Sequence, residues 1–115
     1  MHLRPLVVPF ALVALALGLA APAAARRHVT TVKVTAKDFS FVLSRKTVAA
    51  GRVTFVVRNA GKVTHDFEIA GHTSKVIGPG KTTRLTVTLK KGRDPYKCTV
   101  DSHAKLGMKG VLRVT

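Results

Sequence analysis

The chain has 115 residues, which limits it to a single domain. Twenty Lys and Arg residues stand against five Asp and Glu, and the resulting net charge of +15 favours attraction to anionic partners without specifying a fold. The single cysteine, Cys98, excludes an internal disulfide framework and leaves a buried thiol, an intermolecular disulfide or a metal ligand as its role.

The first 25 residues have the pattern of a secretory signal peptide. Arg4 provides a charged start, an apolar run extends from Leu6 to Ala21, and small residues follow at 23–25. This order is typical of a cleaved signal, whereas a membrane-spanning helix usually needs about 20 apolar residues and Pro9 interrupts this run. We therefore expect export to the periplasm or the cell exterior, with cleavage near Ala25. A retained N-terminal membrane anchor is the alternative.

Residues 26–115 are predicted to form β-strands, because apolar and polar residues alternate with a period of two. The alternating apolar sets are Val32, Val34, Ala36; Phe39, Phe41, Leu43; Val53, Phe55, Val57; Phe67, Ile69; Leu85, Val87, Leu89; and Leu112, Val114. Turn signals lie at Ala50-Gly51, Asn59-Ala60-Gly61, Gly71, Gly78-Pro79-Gly80, Lys91-Gly92 and Asp94-Pro95. Short strands separated by such turns predict an all-β antiparallel sandwich or barrel.

Several basic residues fall on the polar side of these strands or at their ends. They are Lys33, Arg52, Arg58, Arg84, Lys90 and Arg113. We expect them to form a solvated face, with an anion-docking patch as the alternative. The export signal and the scarcity of aromatic residues argue against a nucleic-acid partner.

The stretch from Tyr96 to Gly110 carries the chemistry. Cys98, His103 and Met108 lie in one loop between two strands, with four residues between successive members. A thiolate, an imidazole and a thioether suit copper in both oxidation states. Calcium and magnesium prefer carboxylates, and structural zinc prefers more thiolates than one.

A copper site with one Cys and two His needs a second histidine. His65 is the best placed, because it follows a turn and leads directly into a strand, where loops gather. His72 follows Gly71 in a turn and is expected at the surface. If cleavage follows Ala25, His28 becomes the third residue and could form a separate N-terminal Cu(II) site with backbone nitrogens.

Residues 30–115 resemble the cupredoxins, the plastocyanin/azurin family of blue copper proteins. The matching segments are Ala50–Phe55, Asn59–Phe67, Gly78-Pro79-Gly80 and Tyr96-x-Cys98-x4-His103-x4-Met108-x-Gly110. The resemblance implies a Greek-key β-sandwich that binds one copper ion at one end. It also implies that His65, Cys98 and His103 are equatorial ligands and that Met108 is the weak axial ligand.

Two positions depart from the family pattern. Many relatives have Pro-Gly before the loop histidine, where this chain has Asp101-Ser102, and this change could alter the rigidity of the loop. Many have Asn after the first histidine, where Asp66 stands here. A charged carboxylate at that place would lower the reduction potential of the metal.

The sequence therefore predicts a monomeric carrier of single electrons rather than an enzyme, because one fully ligated copper leaves no open position for a substrate. His103, among Ala104, Leu106 and Gly107, is the expected exit for the electron. The positive charge predicts acidic redox proteins as partners, or an anionic membrane or envelope surface. A copper carrier or buffer without redox turnover is the alternative function.

Overall fold

The computed structural model describes residues 1–3, 5–14, 18 and 28–115. The predicted cleavage site near Ala25 lies outside these residues and stays a prediction. Within the described part of the chain, no helix has the length and apolarity needed to cross a membrane.

Nine strands make up the domain. They are β1 (Val29–Lys37), β2 (Ser40–Leu43), β3 (Thr47–Val48), β4 (Gly51–Asn59), β5 (Glu68–Ile69), β6 (His72–Thr73), β7 (Thr82–Leu89), β8 (Gly92–Lys97) and β9 (Lys109–Val114). A single 3-10 turn, His103–Leu106, interrupts the connection between β8 and β9. The alternation of Val, Thr and Phe therefore produces the strands that it predicts.

The strands form two sheets, with the order β2-β1-β4-β7 in one and β3-β9-β8-β5-β6 in the other. β1 and β4 are parallel, as are β3 and β9, and the remaining neighbours are antiparallel. The chain crosses between the sheets after β2, β3, β4, β6 and β7. The predicted all-β sandwich is confirmed, but it is not wholly antiparallel, because β1 pairs with β4 and β3 pairs with β9 in parallel.

The core lies between the sheets and follows the period-two pattern. In β4, Val53, Phe55 and Val57 are fully buried, whereas Arg52 and Arg58 point to solvent. The ring of Phe55 packs on that of Phe67, which directly precedes β5 of the other sheet. The two ring centroids are 5.1 Å apart. The basic residues predicted to lie on a solvated face are all exposed: Lys33, Arg52, Arg58, Arg84, Lys90 and Arg113.

One predicted turn is wrong, because β8 continues straight through Asp94 and Pro95. A proline weakens a strand by removing a hydrogen-bond donor, and is tolerated where the strand has an open side. Within β8, only Tyr96 and Lys97 pair with β5. At Pro95 the strand therefore has a single neighbour, β9, and its other side is open. Strands β3 and β6 have two residues each and are too short to show an alternation in the sequence.

We expect Phe55→Ala to lower the free energy of unfolding by about 3–5 kcal/mol, because it opens a cavity at the centre of the core. Val56→Ala, at the next position but facing the half-exposed outer side of the same strand, should cost about 1 kcal/mol or less. Urea denaturation of both variants measures the difference. Equal losses would contradict the burial pattern of β4.

Candidate metal centre

The candidate ligands meet at one end of the sandwich, where two connections come together. His65 lies in the connection after β4 and is fixed by two backbone hydrogen bonds with Ile77, of 3.1 and 2.8 Å. Cys98 directly follows β8, and Met108 directly precedes β9. The Cys98 N–H donates to the Met108 carbonyl at 3.0 Å, which closes the base of the β8–β9 loop.

The side chains of His65, Cys98 and His103 form one buried cluster. The Sγ atom of Cys98 is 3.9 Å from Nδ1 of His65 and 3.6 Å from Nδ1 of His103. All three atoms lie within 4.8 Å of one another, and the residues are at most 7% exposed. One thiolate and two imidazole nitrogens at this spacing fit a single copper ion per chain.

Met108 is fully buried and belongs to a small apolar cluster with Ala36 and Cys98. Its backbone N–H donates to the carbonyl of His103 at 3.1 Å, so the loop carries the two residues as one unit. Gly107 lies between them with φ of +108°, a backbone conformation that residues other than glycine rarely adopt. The turn therefore depends on Gly107. The ligand role of Met108 stays a prediction, as do those of the three clustered residues.

The environment of the Cys98 thiol opposes its ionisation in the metal-free protein. Burial is the largest influence and raises the pKa of Cys98, and the nearby charge of Asp66 acts in the same direction. Backbone N–H groups of Asp66 and Val100 point to the sulfur and lower the pKa in part. Because a metal would bind the thiolate, binding would release this proton, and the same N–H groups would stabilise the sulfur of Cys98.

Asp66 joins the two connections that carry the candidate ligands. Its buried carboxylate accepts the Thr99 N–H at 2.6 Å and a short hydrogen bond from the Thr99 hydroxyl. Asp66 follows His65 in the chain, and Thr99 follows Cys98. The carboxylate that the sequence identified as a departure from the family pattern thus holds the two candidate ligands, His65 and Cys98, in position relative to each other.

Sequence reasoning missed Asp38, which lies in the turn after β1. Its Oδ1 is 2.6 Å from Nε2 of His65, and its Oδ2 accepts the Lys62 N–H at 2.8 Å. The Lys62 bond, followed by the His65 bond, lowers the pKa of Asp38. No spacing rule connects residues so far apart in the chain, and the only signal in the sequence was an acid in a turn.

Phe39 was likewise assigned to an alternating strand set, although it precedes β2 and lies at the metal centre. Its ring centroid is 4.7 Å from that of His103 and 6.2 Å from that of His65. The ring of Phe39 therefore packs against both imidazoles.

The other histidines lie apart from the cluster. His72 is exposed on β6, as predicted, and His28 is exposed at the start of the domain. The proposed N-terminal site of His28 also needs residues 26 and 27, which lie outside the described part of the chain, and it stays a prediction.

Comparisons with known proteins agree with this fold. A family model described as Cupredoxin-like domain matches residues 9–114. No curated protein sequence matches the chain at a significant level.

Three solved structures of auracyanins share the fold. Reduced auracyanin from Roseiflexus castenholzii is 19% identical, with a TM-score of 0.65 over 75% of this chain and 97% of that one. Auracyanin A, a "blue" copper protein from Chloroflexus aurantiacus, is 21% identical, with a TM-score of 0.64 over 76% and 100%. Auracyanin B is 19% identical, with a TM-score of 0.64 over 77% and 90%.

We expect Asp66→Ala to lower the free energy of unfolding of the metal-free protein by about 2–4 kcal/mol, because both Thr99 donors lose a charged acceptor. Asp66→Asn keeps one oxygen that can accept from the Thr99 N–H, and its NH2 group can donate to the Thr99 hydroxyl. It should lower the free energy of unfolding by only about 1 kcal/mol. Urea denaturation without metal measures both values. If the two variants are equally stable, the hydrogen bonds of Asp66 do not join the connections.

Proposed function

The chain belongs to the family of cupredoxin-like domains, and from this premise we propose that it is a blue copper protein that carries single electrons outside the cytoplasm. The observation that carries the proposal is the buried cluster of one thiol and two Nδ1 atoms within 4.8 Å. The family membership and the fold shared with a "blue" copper protein support it.

In this proposal His65, Cys98 and His103 are the three strong ligands, and Met108 is the weak axial one. The three strong donors already lie side by side, and the buried thioether belongs to the same apolar cluster as Cys98. A set of two His, one Cys and a distant Met is typical of electron-transfer copper sites. It leaves no position open to a substrate, which favours a carrier over an enzyme.

The residues around the cluster favour electron transfer because they keep the donors in place. Copper, when bound, supplies a couple that exchanges one electron. His65 is held by hydrogen bonds to the Ile77 backbone and to Asp38. Cys98 is held by the hydrogen bond from its N–H to the Met108 carbonyl. The burial of the donors excludes water, so little has to rearrange when the charge at the centre changes.

We propose that electrons leave through His103. It is 7% exposed, whereas His65 is fully buried. Leu106, 62% exposed in the same 3-10 turn, and the half-exposed Ala104 form an apolar surface beside it. Lys105 and the other surface cations would orient acidic redox partners toward this end.

The outer face of the four-stranded sheet is a second basic surface. Lys33, Arg52, Arg58 and Arg84 are exposed on β1, β4 and β7, and the described residues of these strands include no carboxylate. We propose that this face meets an anionic membrane or envelope, while the protein remains a monomer without a nucleic-acid partner. Export through a signal peptide cleaved near Ala25 belongs to the same proposal, with a retained anchor as its alternative.

The proposal is tested by titrating purified residues 26–115 with Cu(II) in the absence of reductant. An intense visible colour from charge transfer between thiolate and copper should develop and reach its maximum at one ion per chain. Cys98→Ser should abolish the colour. A wild-type protein that stays colourless would contradict the proposal.

The same coloured protein separates electron transfer from copper delivery. Reversible one-electron cycling with retention of the metal supports an electron carrier. Loss of copper to a chelator at each reduction would instead favour the carrier or buffer function.

The proposed exit is tested with ferricyanide as an anionic oxidant of the Cu(I) protein. The rate should fall as the ionic strength rises, because salt screens the attraction. Lys105→Glu, next to His103, should slow the reaction several-fold at low salt. Arg93→Glu makes the same charge change near the other end of β8, about 17 Å along the strand from Cys98, and should have a smaller effect. Equal effects would contradict an exit at His103.

A further inference from the structure

We propose that Asp38 is a positioning residue of the metal centre, which holds His65 by its Nε2–H and favours Cu(II) over Cu(I). The inference rests on the proposed copper site. Asp38 lies in the turn between β1 and β2, outside the two connections that carry the candidate ligands.

The hydrogen bond to Asp38 selects the tautomer of His65. A carboxylate can only accept, so the 2.6 Å contact between Oδ1 and Nε2 places the ring hydrogen on Nε2. In the neutral ring Nδ1 then carries a free lone pair. Nδ1 is the atom that faces Sγ of Cys98, at 3.9 Å. The hydrogen bond therefore prepares the nitrogen that a metal would use.

Asp38 is itself held in place by the main chain. Its second oxygen accepts the Lys62 N–H at 2.8 Å, from the same connection that carries His65. That connection is fixed in turn by Asn59, whose side chain donates to the carbonyls of Val63 and Ile77 and accepts the Gly61 N–H. The carboxylate and the imidazole are thus attached to one stiff segment.

Gly61 provides the space for this contact. A Cβ atom at Gly61 would overlap Oδ1 of Asp38, and it would lie 2.8 Å from Cγ of Asp38 and 3.0 Å from Nε2 of His65. The φ angle of Gly61 lies outside the left-handed range, so an alanine could adopt its backbone conformation. Gly61→Ala should therefore displace the carboxylate from the imidazole while Asp38 keeps its charge.

The contact has a predictable effect on the metal. A carboxylate bound to the far nitrogen raises the basicity of a ligating imidazole, and loss of such a partner typically lowers metal affinity about 10–100-fold. Cu(II) has the larger charge and gains more than Cu(I) from a basic ligand beside an anion. Asp38 should therefore lower the reduction potential of the centre.

The experiment measures the Cu(II) and Cu(I) affinities and the reduction potential of Asp38→Ala, Asp38→Asn and Gly61→Ala. We expect Asp38→Ala to lower the Cu(II) affinity at least tenfold. The reduction potential should rise by about 59 mV for each tenfold loss of Cu(II) affinity that the Cu(I) affinity does not share. Asp38→Asn retains a neutral acceptor and should restore part of the loss. Gly61→Ala should resemble Asp38→Ala.

Asp101→Asn is the matched control, because it removes the same charge from an exposed position in the ligand loop. Its backbone has φ of +44°, which asparagine tolerates. We expect less than a twofold change in the Cu(II) affinity. If Asp101→Asn and Asp38→Ala shift the potential equally, charge alone acts and the positioning role is overturned.

A measurement without copper separates this inference from the proposed function. Nitrogen-15 NMR of the metal-free protein, with labelled histidine, should show a His65 Nε2–H proton in the wild type that is shifted downfield and protected from exchange by its hydrogen bond to Asp38. Both signs of the hydrogen bond should be lost in Asp38→Ala and Gly61→Ala. Their retention in both variants would overturn the inference, whether or not copper binds. A wild type that shows the hydrogen bond but stays colourless with Cu(II) would instead contradict the proposed function.

Discussion

The buried contact between the connection after β4 and the loop after β8 is the constraint on which the metal centre depends. One side contributes His65 and Asp66, and the other contributes Cys98 and Thr99. The Asp66 carboxylate and its two hydrogen bonds to Thr99 join the sides directly behind the ligands. Buried polar groups must be satisfied to be tolerated. This bond therefore sets the relative position of the imidazole and the thiol before any metal arrives.

Local and global charge act in opposite directions in this protein. The chain as a whole is strongly basic, yet Asp38 and Asp66 both lie at the metal centre. Their carboxylates act at short range on His65 and Cys98, which are themselves almost fully buried. The surface cations act at longer range on whatever approaches. The centre can thus favour the higher oxidation state while the exterior attracts anions.

The rigidity of the sandwich is what connects the fold to the proposed electron transfer. Each candidate ligand lies at or near the end of a strand, and short backbone hydrogen bonds fix it to its neighbours. Gly107 and Gly61 serve this arrangement in different ways. Gly107 allows the tight turn between His103 and Met108, and Gly61 leaves room for the carboxylate beside His65. Both are positions where a side chain would move a ligand.

The sequence by itself determined the strands with a clear alternation, such as β1, β4 and β7, because the period of two directly reflects burial on one face. It also determined that Cys98, His103 and Met108 lie near one another, since residues in one short loop stay close in any fold. His65 could be placed only through its turn and the family resemblance. The start of β8 was predicted wrongly because Asp94-Pro95 is a local turn signal, which pairing with β9 overrides. Only the tertiary structure decided the roles of Asp38 and Phe39 and the hydrogen bonds between Asp66 and Thr99. Each depends on contacts between segments that are distant in the sequence and that only the packing of the two sheets brings together.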